Sequence, residues 1–245
     1  MRHNCARVIR QQGLSLIELL VATAIGLFLL AVISVVFVGA KTTYLTQDAN
    51  ARLQENSRYA IEFLSRQVRN AGFPLITFNL LSGDLYSKPA PITFLGEPIA
   101  GADGGATASD SITVSYDAPA DCLGNAVASG TAVNLIRINA TQQIECLGNG
   151  SLTPQAILDD VEDLQIRYGQ KIGVNYGYLT ASSATMADVN SVRICVLLRA
   201  AADSDSKALD QKQKYVDCLG AAHTSTDKYI RRTITTTIEL RHRNK

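Results

Sequence analysis

The sequence predicts an α+β fold. One long N-terminal helix, transmembrane in its first half and a stem in its second, packs on a C-terminal, mainly antiparallel β-sheet domain. Three observations carry this expectation. Leu19 to Ala40 is a run of 22 residues without a charge. An apolar stripe at helical spacing continues from Leu45 to Ala71. From Ser111 onward, short stretches alternate apolar and polar side chains with the period of a strand.

The chain has 245 residues, 47% of them apolar, enough for one ordinary domain plus an extra element. Its formal charge of +1 is unevenly spread. Residues 1–13 hold Arg2, Arg7 and Arg10 and no acid, so their loss leaves 20 basic against 22 acidic residues, about −2. That is no footprint for a nucleic-acid partner.

The apolar run is long enough to cross a hydrocarbon core of about 30 Å. Basic residues precede it, and Lys41 is the only one close behind. The positive-inside bias therefore places the leader in the cytoplasm and everything after Lys41 outside. Glu18 stands at the start of the run, where an acid costs roughly 2.5–3.5 kcal/mol on insertion scales. It calls for a compensating partner. A secretory signal peptide cut after Val38–Ala40 is one reading, but the run exceeds the usual core of about 7–15 residues. A plain signal anchor with Glu18 snorkelling to the headgroups is another.

The helix should continue beyond Ala40. Leu45, Ala49, Leu53, Ala60, Phe63, Leu64, Val68 and Ala71 form one stripe, while Gln47, Asp48, Arg52, Glu55, Arg58 and Glu62 lie opposite. "NAGFP" ends it, with Gly72 at a C′ position, and Arg66 and Arg69 sit in the closing turns, where cations oppose the helix dipole. Ser15 to Ala71 would span roughly 85 Å at 1.5 Å per residue. Gly26 is a weak point, costing about 1 kcal/mol relative to Ala.

Pro74, Pro89, Pro91, Pro98 and "GADGG" (residues 101–105) mark loops. Strands are expected at "SITVSY" (111–116), "VNLIRI" (133–138), "QQIECL" (142–147), "VEDLQIRY" (161–168), "SVRICVLLRA" (191–200) and "RRTITTTIEL" (231–240). No helical pattern separates the later ones, so an antiparallel sheet with one buried face is the better reading, and the stem's stripe is its natural cover. Three near-identical pentapeptides, "DCLGN" at Asp121, "ECLGN" at Glu145 and "DCLGA" at Asp217, read as turns leaving strands, with Gly at positive φ.

Five cysteines are present, with Cys5 in the leader. Cys122, Cys146, Cys195 and Cys218 lie beyond the membrane segment and suit two disulfides in an oxidising compartment. Three pairings are open. The sequential one, Cys122–Cys146 with Cys195–Cys218, closes two short loops and is preferred, each bridge contributing on the order of 3 kcal/mol. Buried free thiols are the alternative. With no C-x-x-C and three histidines, no metal site or cofactor is expected.

Other polar clusters read as structure. "DDVED" (159–163) lacks the Gly and distal Glu of a calcium loop, and Lys207 stands where "DSDSK" (203–207) would need an oxygen ligand. His223 and His242 have no serine–acid pattern beside them. "RHRNK" (241–245) is a solvated basic end. No paired carboxylates, nucleophile–base set or phosphate loop stands out, and an enzyme is not expected.

"GLSLIELL" from Gly13 resembles the type IV prepilin signature: a basic leader ending in Gly, an apolar residue, and Glu five positions after the cut. "ARLQENSRYAIEFLSRQVRNAGF" (51–73), "DCLGN", "VEDLQIRYG" and the closing Arg/Thr-rich strand resemble the PilW family of minor pilins. The GspJ pseudopilin is the analogous subunit of type II secretion. The resemblance implies that prepilin peptidase cleaves after Gly13 and methylates the new amine of Leu14, a position where Phe or Met is commoner. It implies that Glu18 pairs with the amine of a neighbouring subunit. The absence of a helix-breaking Pro from Val32 to Val38 departs from major pilins and favours a minor pilin or pseudopilin.

The implied organisation is a cleaved leader (1–13), a transmembrane and stem helix (14–72) and an extracytoplasmic β-rich domain (73–245). The implied location is the bacterial inner membrane, single-pass with the domain in the periplasm, and then the pilus at the cell surface. The implied role is initiation of type IV pilus assembly, with a place at the tip. Partners would be the peptidase, other minor pilins and the major pilin, the inner-membrane assembly platform and a tip adhesin. A type II secretion pseudopilin, or a membrane-anchored binding module never assembled into filaments, are the competing readings.

Overall fold

The computed structural model describes residues 13, 15–74, 76–78, 85–87, 97–105, 108–151, 153–201, 213–225, 227 and 229–241. Two compact units divide the chain after Thr46. The leader residues Arg2, Cys5, Arg7 and Arg10, the "DSDSK" segment, Pro89, Pro91 and His242 lie outside the described residues.

A single helix, α1 (Leu16–Asn70, 55 residues), runs without a break through Gly26 and Gly39. It begins one residue later than its periodicity suggests, because Ser15 is its N-cap and not its first turn. It closes where Gly72 enters the left-handed region at φ 76°, which any side chain would strain. Gly72 then donates its N–H to Ser115 O at 2.8 Å, tying the end of the helix to a strand.

The strands follow in chain order: β1 (Ile76–Phe78), β2 (Leu85–Ser87), β3 (Ile99–Ala102), β4 (Ser111–Asp117), β5 (Thr131–Ile138), β6 (Ile144–Gly148), β7 (Gln155–Leu158), β8 (Val161–Ile172), β9 (Asn175–Leu179), β10 (Ser191–Ala201), β11 (Lys214–Val216), β12 (Ala222–Thr224) and β13 (Tyr229–Glu239). All described pairings are antiparallel. The six strands expected from alternation are β4, β5, β6, β8, β10 and β13. They do not form one sheet. A five-stranded sheet has the order β3-β4-β5-β6-β7, and a four-stranded sheet the order β13-β10-β8-β9. The chain passes between them at Asp159–Asp160, where Asp160 adopts φ 60°, so "DDVED" is a corner followed by a strand.

Helix and sheets share one core. Leu53, Leu64 and Val68 of α1 lie in the same buried cluster as Ile112 and Ile136 of one sheet and Leu164, Ile166, Ile194 and Leu198 of the other. The alternation in β8 and β10 follows from this, since inward residues meet the helix or the facing sheet while Arg167 and Arg193 point outward.

Two glycines expected in loops or turns have other duties. Gly101 belongs to β3, where a Cβ would collide with the buried ring of Tyr168. Gly148 of "ECLGN" ends strand β6 with no positive φ, and a Cβ there would strike the Asp121 carboxylate. That pentapeptide is strand up to Gly148, and the turn begins only at Asn149.

Candidate functional site

The N-terminal site is built by the first turn of α1. Ser15 Oγ accepts the Glu18 N–H at 3.3 Å, and Glu18 Oε2 accepts the Ser15 N–H at 3.0 Å. This reciprocal capping box satisfies two backbone donors that a helix start leaves orphaned. Glu18 also faces the positive end of the helix dipole. Its charge is therefore partly compensated within the chain. The S-x-x-E spacing at 15–18 makes the box legible in the sequence, although attention to Glu18 alone misses Ser15. Gly13 is exposed, with open space around its Cα. Leu14 lies outside the described residues.

Within the box and beyond it, Leu16, Ile17, Leu19, Leu20, Leu27, Phe28, Ile33 and Phe37 are all exposed. Mean hydropathy reaches 2.8 in this stretch, so the helix is long and apolar enough to cross a membrane. Its hydroxyls are internally satisfied: Thr23 donates to Leu20 O at 3.0 Å and Ser34 to Leu30 O at 2.7 Å. In lipid, unsatisfied hydroxyls would cost several kcal/mol each, on the order of an unpaired backbone group.

The cysteines form two disulfides, Cys122–Cys146 and Cys195–Cys218, with Cα separations of 6.6 and 5.6 Å. Each joins a D-C-L-G loop to a strand, β6 in the first case and β10 in the second. The loops repeat one device. Asp121 Oδ1 accepts the N–H groups of Leu123 and Asn125, both at 2.9 Å. Asp217 Oδ1 accepts those of Leu219 and Ala221, at 2.9 and 2.8 Å. Gly124 and Gly220 close the two turns at φ 82° and 88°. Asp217 also meets His223 Nε2 at 2.6 Å. Burial works to raise the Asp217 carboxyl, but its hydrogen bonds from His223, Ala221 and Leu219 prevail and hold it below the usual range. His223, on β12, is thus a clasp onto the turn that joins β11 to β12.

Two polar networks lock the domain, and composition does not reveal either. Gln67, on the buried face of α1, accepts from Tyr116 Oη and from Asn134 Nδ2, both at 3.1 Å. Asn134 Oδ1 accepts the Cys122 N–H at 2.9 Å, so helix, sheet and disulfide loop are joined in sequence. Burial pushes the Tyr116 phenol up, which keeps it a donor. In the other sheet, the Arg231 guanidinium bonds both Glu162 oxygens, at 2.6 and 2.8 Å, and both Asp227 oxygens, at 2.7 and 2.6 Å. Its side chain is 8% exposed. Bidentate pairing of this kind is geometrically specific to arginine.

Comparison with known proteins gives two family matches and several structural likenesses. Residues 9–34 match the family described as the prokaryotic N-terminal methylation motif. Two solved structures are similar. One is a type IV-like pilin from Thermus thermophilus, 9% identical, covering 78% of this chain and 98% of that one at a TM-score of 0.42. The other is from the GspK-GspI-GspJ complex of the type 2 secretion system of enterotoxigenic Escherichia coli, 14% identical, covering 74% and 95% at 0.36. No curated protein matches the chain. The methylation-motif match covers the apolar start of α1, ahead of the antiparallel sheets. Residues 124–242, just under half of the chain, match the family described as Type IV Pilus-assembly protein W. The block at 51–73 that also suggested PilW lies outside that match.

Proposed function

We propose that this protein is a minor pilin that acts in the initiation of type IV pilus assembly. It is an assembly subunit and not a catalyst. Prepilin peptidase cuts between Gly13 and Leu14 and methylates Leu14. The domain faces the periplasm, and the chain then enters a complex with other minor pilins. The observation that carries this reading is Glu18 at the head of an exposed apolar helix, next to an exposed Gly13. Cleavage leaves a cationic amine four residues before Glu18. At about 4 Å and an effective dielectric constant near 20, an amine and a carboxylate attract by on the order of 4 kcal/mol before desolvation. This is comparable to the insertion cost of the acid, so a second subunit's amine favours docking in register. The two disulfides suit the oxidising periplasm.

Mass spectrometry of the mature chain tests the reading. The expected species begins with N-methylated Leu14, and Gly13→Ala leaves the leader attached. A native chain with an intact leader, or one beginning at Lys41, rejects it. Deleting the gene separates pilus from secretion roles: loss of surface pili supports the proposal, whereas loss of a secreted protein with normal pili assigns the chain to a type II system.

A further inference from the structure

The face of α1 opposite the core carries a feature that neither processing nor membrane insertion uses. Arg58, Arg66 and Arg69 are exposed on it, with Ile61 half-buried between them. Phe73 and Arg241 close an open groove of about 680 Å³ at its far end. From Arg58 to Arg69 the stripe extends roughly 16 Å along the helix. Among the described residues, none of these four arginines has an ion-pair partner, and Glu62 is the one acid lining the groove. Elsewhere Arg52, Arg137, Arg199 and Arg231 each meet a carboxylate, while Arg167, Arg193 and Arg232 have no ion pair among the described residues; what sets the groove apart is that its unpaired arginines converge on one apolar floor.

We propose that this groove is a docking surface for an acidic amphipathic helix of a different subunit. The pilin reading supplies only the nature of that subunit; the chemistry stands on the groove. Its floor is carbon, from Ile61, Phe73 and the arginine stems, with guanidinium groups along the rim. A helix with a small apolar ridge and flanking carboxylates fits such a surface by ridge-into-groove packing and charge pairing. A nucleic-acid strand would leave the aliphatic floor unused, since its recognition needs stacking platforms and a longer basic track. A second copy meeting face to face would set arginine against arginine, so the surface selects an unlike partner.

The test uses the full-length processed chain in detergent micelles and a labelled helical peptide of about 20 residues. The peptide carries Glu at i, i+4, i+7 and i+11 beside an Ala/Leu ridge, and a second peptide has Gln at those positions. The Glu peptide is expected to bind, to weaken about tenfold or more from about 50 to about 500 mM salt, and to be lost with Arg66→Gln plus Arg69→Gln. The Gln peptide should not bind. Because both arginines are exposed, the double variant should keep the parent's unfolding midpoint. Equal binding of both peptides, or no binding of either, overturns the proposal. So does tighter binding of a single-stranded oligonucleotide of equal charge, or a salt-sensitive homodimer that the double variant abolishes. Normal trimming at Gly13 without peptide binding defeats the groove alone; peptide binding by an untrimmed chain defeats the pilin reading alone.

Discussion

Single residues decide how the domain is held shut. Gln67 is 2% exposed and Asn134 fully buried, and each satisfies the other's polar atoms. Gln67→Leu leaves the Asn134 amide and the Tyr116 hydroxyl short of an acceptor, and should cost about 1–3 kcal/mol in urea unfolding of the detergent-solubilised chain. Replacing Gln67, Tyr116 and Asn134 together with apolar residues of similar shape should cost less than the sum of the single changes. Asp227 predicts a pH effect. Its hydrogen bonds from the Arg231 guanidinium hold its carboxyl well below the usual range, against the opposing effect of burial. A carboxyl depressed in the folded state adds stability above its unfolded pKa of about 3.9, and that stability is lost as pH falls through the folded value. Acid unfolding followed by circular dichroism should therefore steepen below about pH 4, and Asp227→Asn should flatten that limb. An unchanged acid limb would deny Asp227 this role.

At the scale of elements, the two D-C-L-G loops act as staples from loop to strand. Each bridge closes a short segment, with sequence separations of 24 and 23. Cys122→Ser and Cys146→Ser should each lower stability by about 3 kcal/mol, and the double variant by little more than either. Cys122→Ser combined with Cys195→Ser should be nearly additive, because those cysteines belong to different bridges. Additivity within a pair would contradict the connectivity. The elements also show where sequence reading succeeds. The stripe from Ala49 to Ala71 is buried almost as its spacing suggests, and β4, β8 and β10 turn their alternating apolar residues inward. It falls short at Ser57 and Gln67, which are polar but buried because they lie on the helix face against the sheets. The short β3, β7 and β9 carry too few residues to show a period.

At the scale of the whole molecule, an exposed apolar helix and a packed domain stand on one chain, and the proposed assembly role is tested at Glu18. Glu18→Val should still insert in the membrane, since it removes a charge from the apolar run, yet be missing from sheared filaments. Recovery of that variant at normal levels would leave the inter-subunit pairing without support. Ser15→Ala removes only the cap, at a cost of about 0.5–2 kcal/mol to the first turn, and should leave filament entry intact.

The sequence by itself determined the long helix, its glycine terminus at Gly72, the strand-forming segments and the motif around Gly13, because each rests on local spacing or on the cost of a charge in lipid. Tertiary structure alone decided that the predicted strands divide between two sheets, that Gln67 and Arg231 are locked in polar networks, and that Arg58, Arg66, Arg69 and Arg241 line one groove. Strand neighbours and buried polar partners are separated by tens of residues, and periodicity along the chain carries no record of which distant groups will meet.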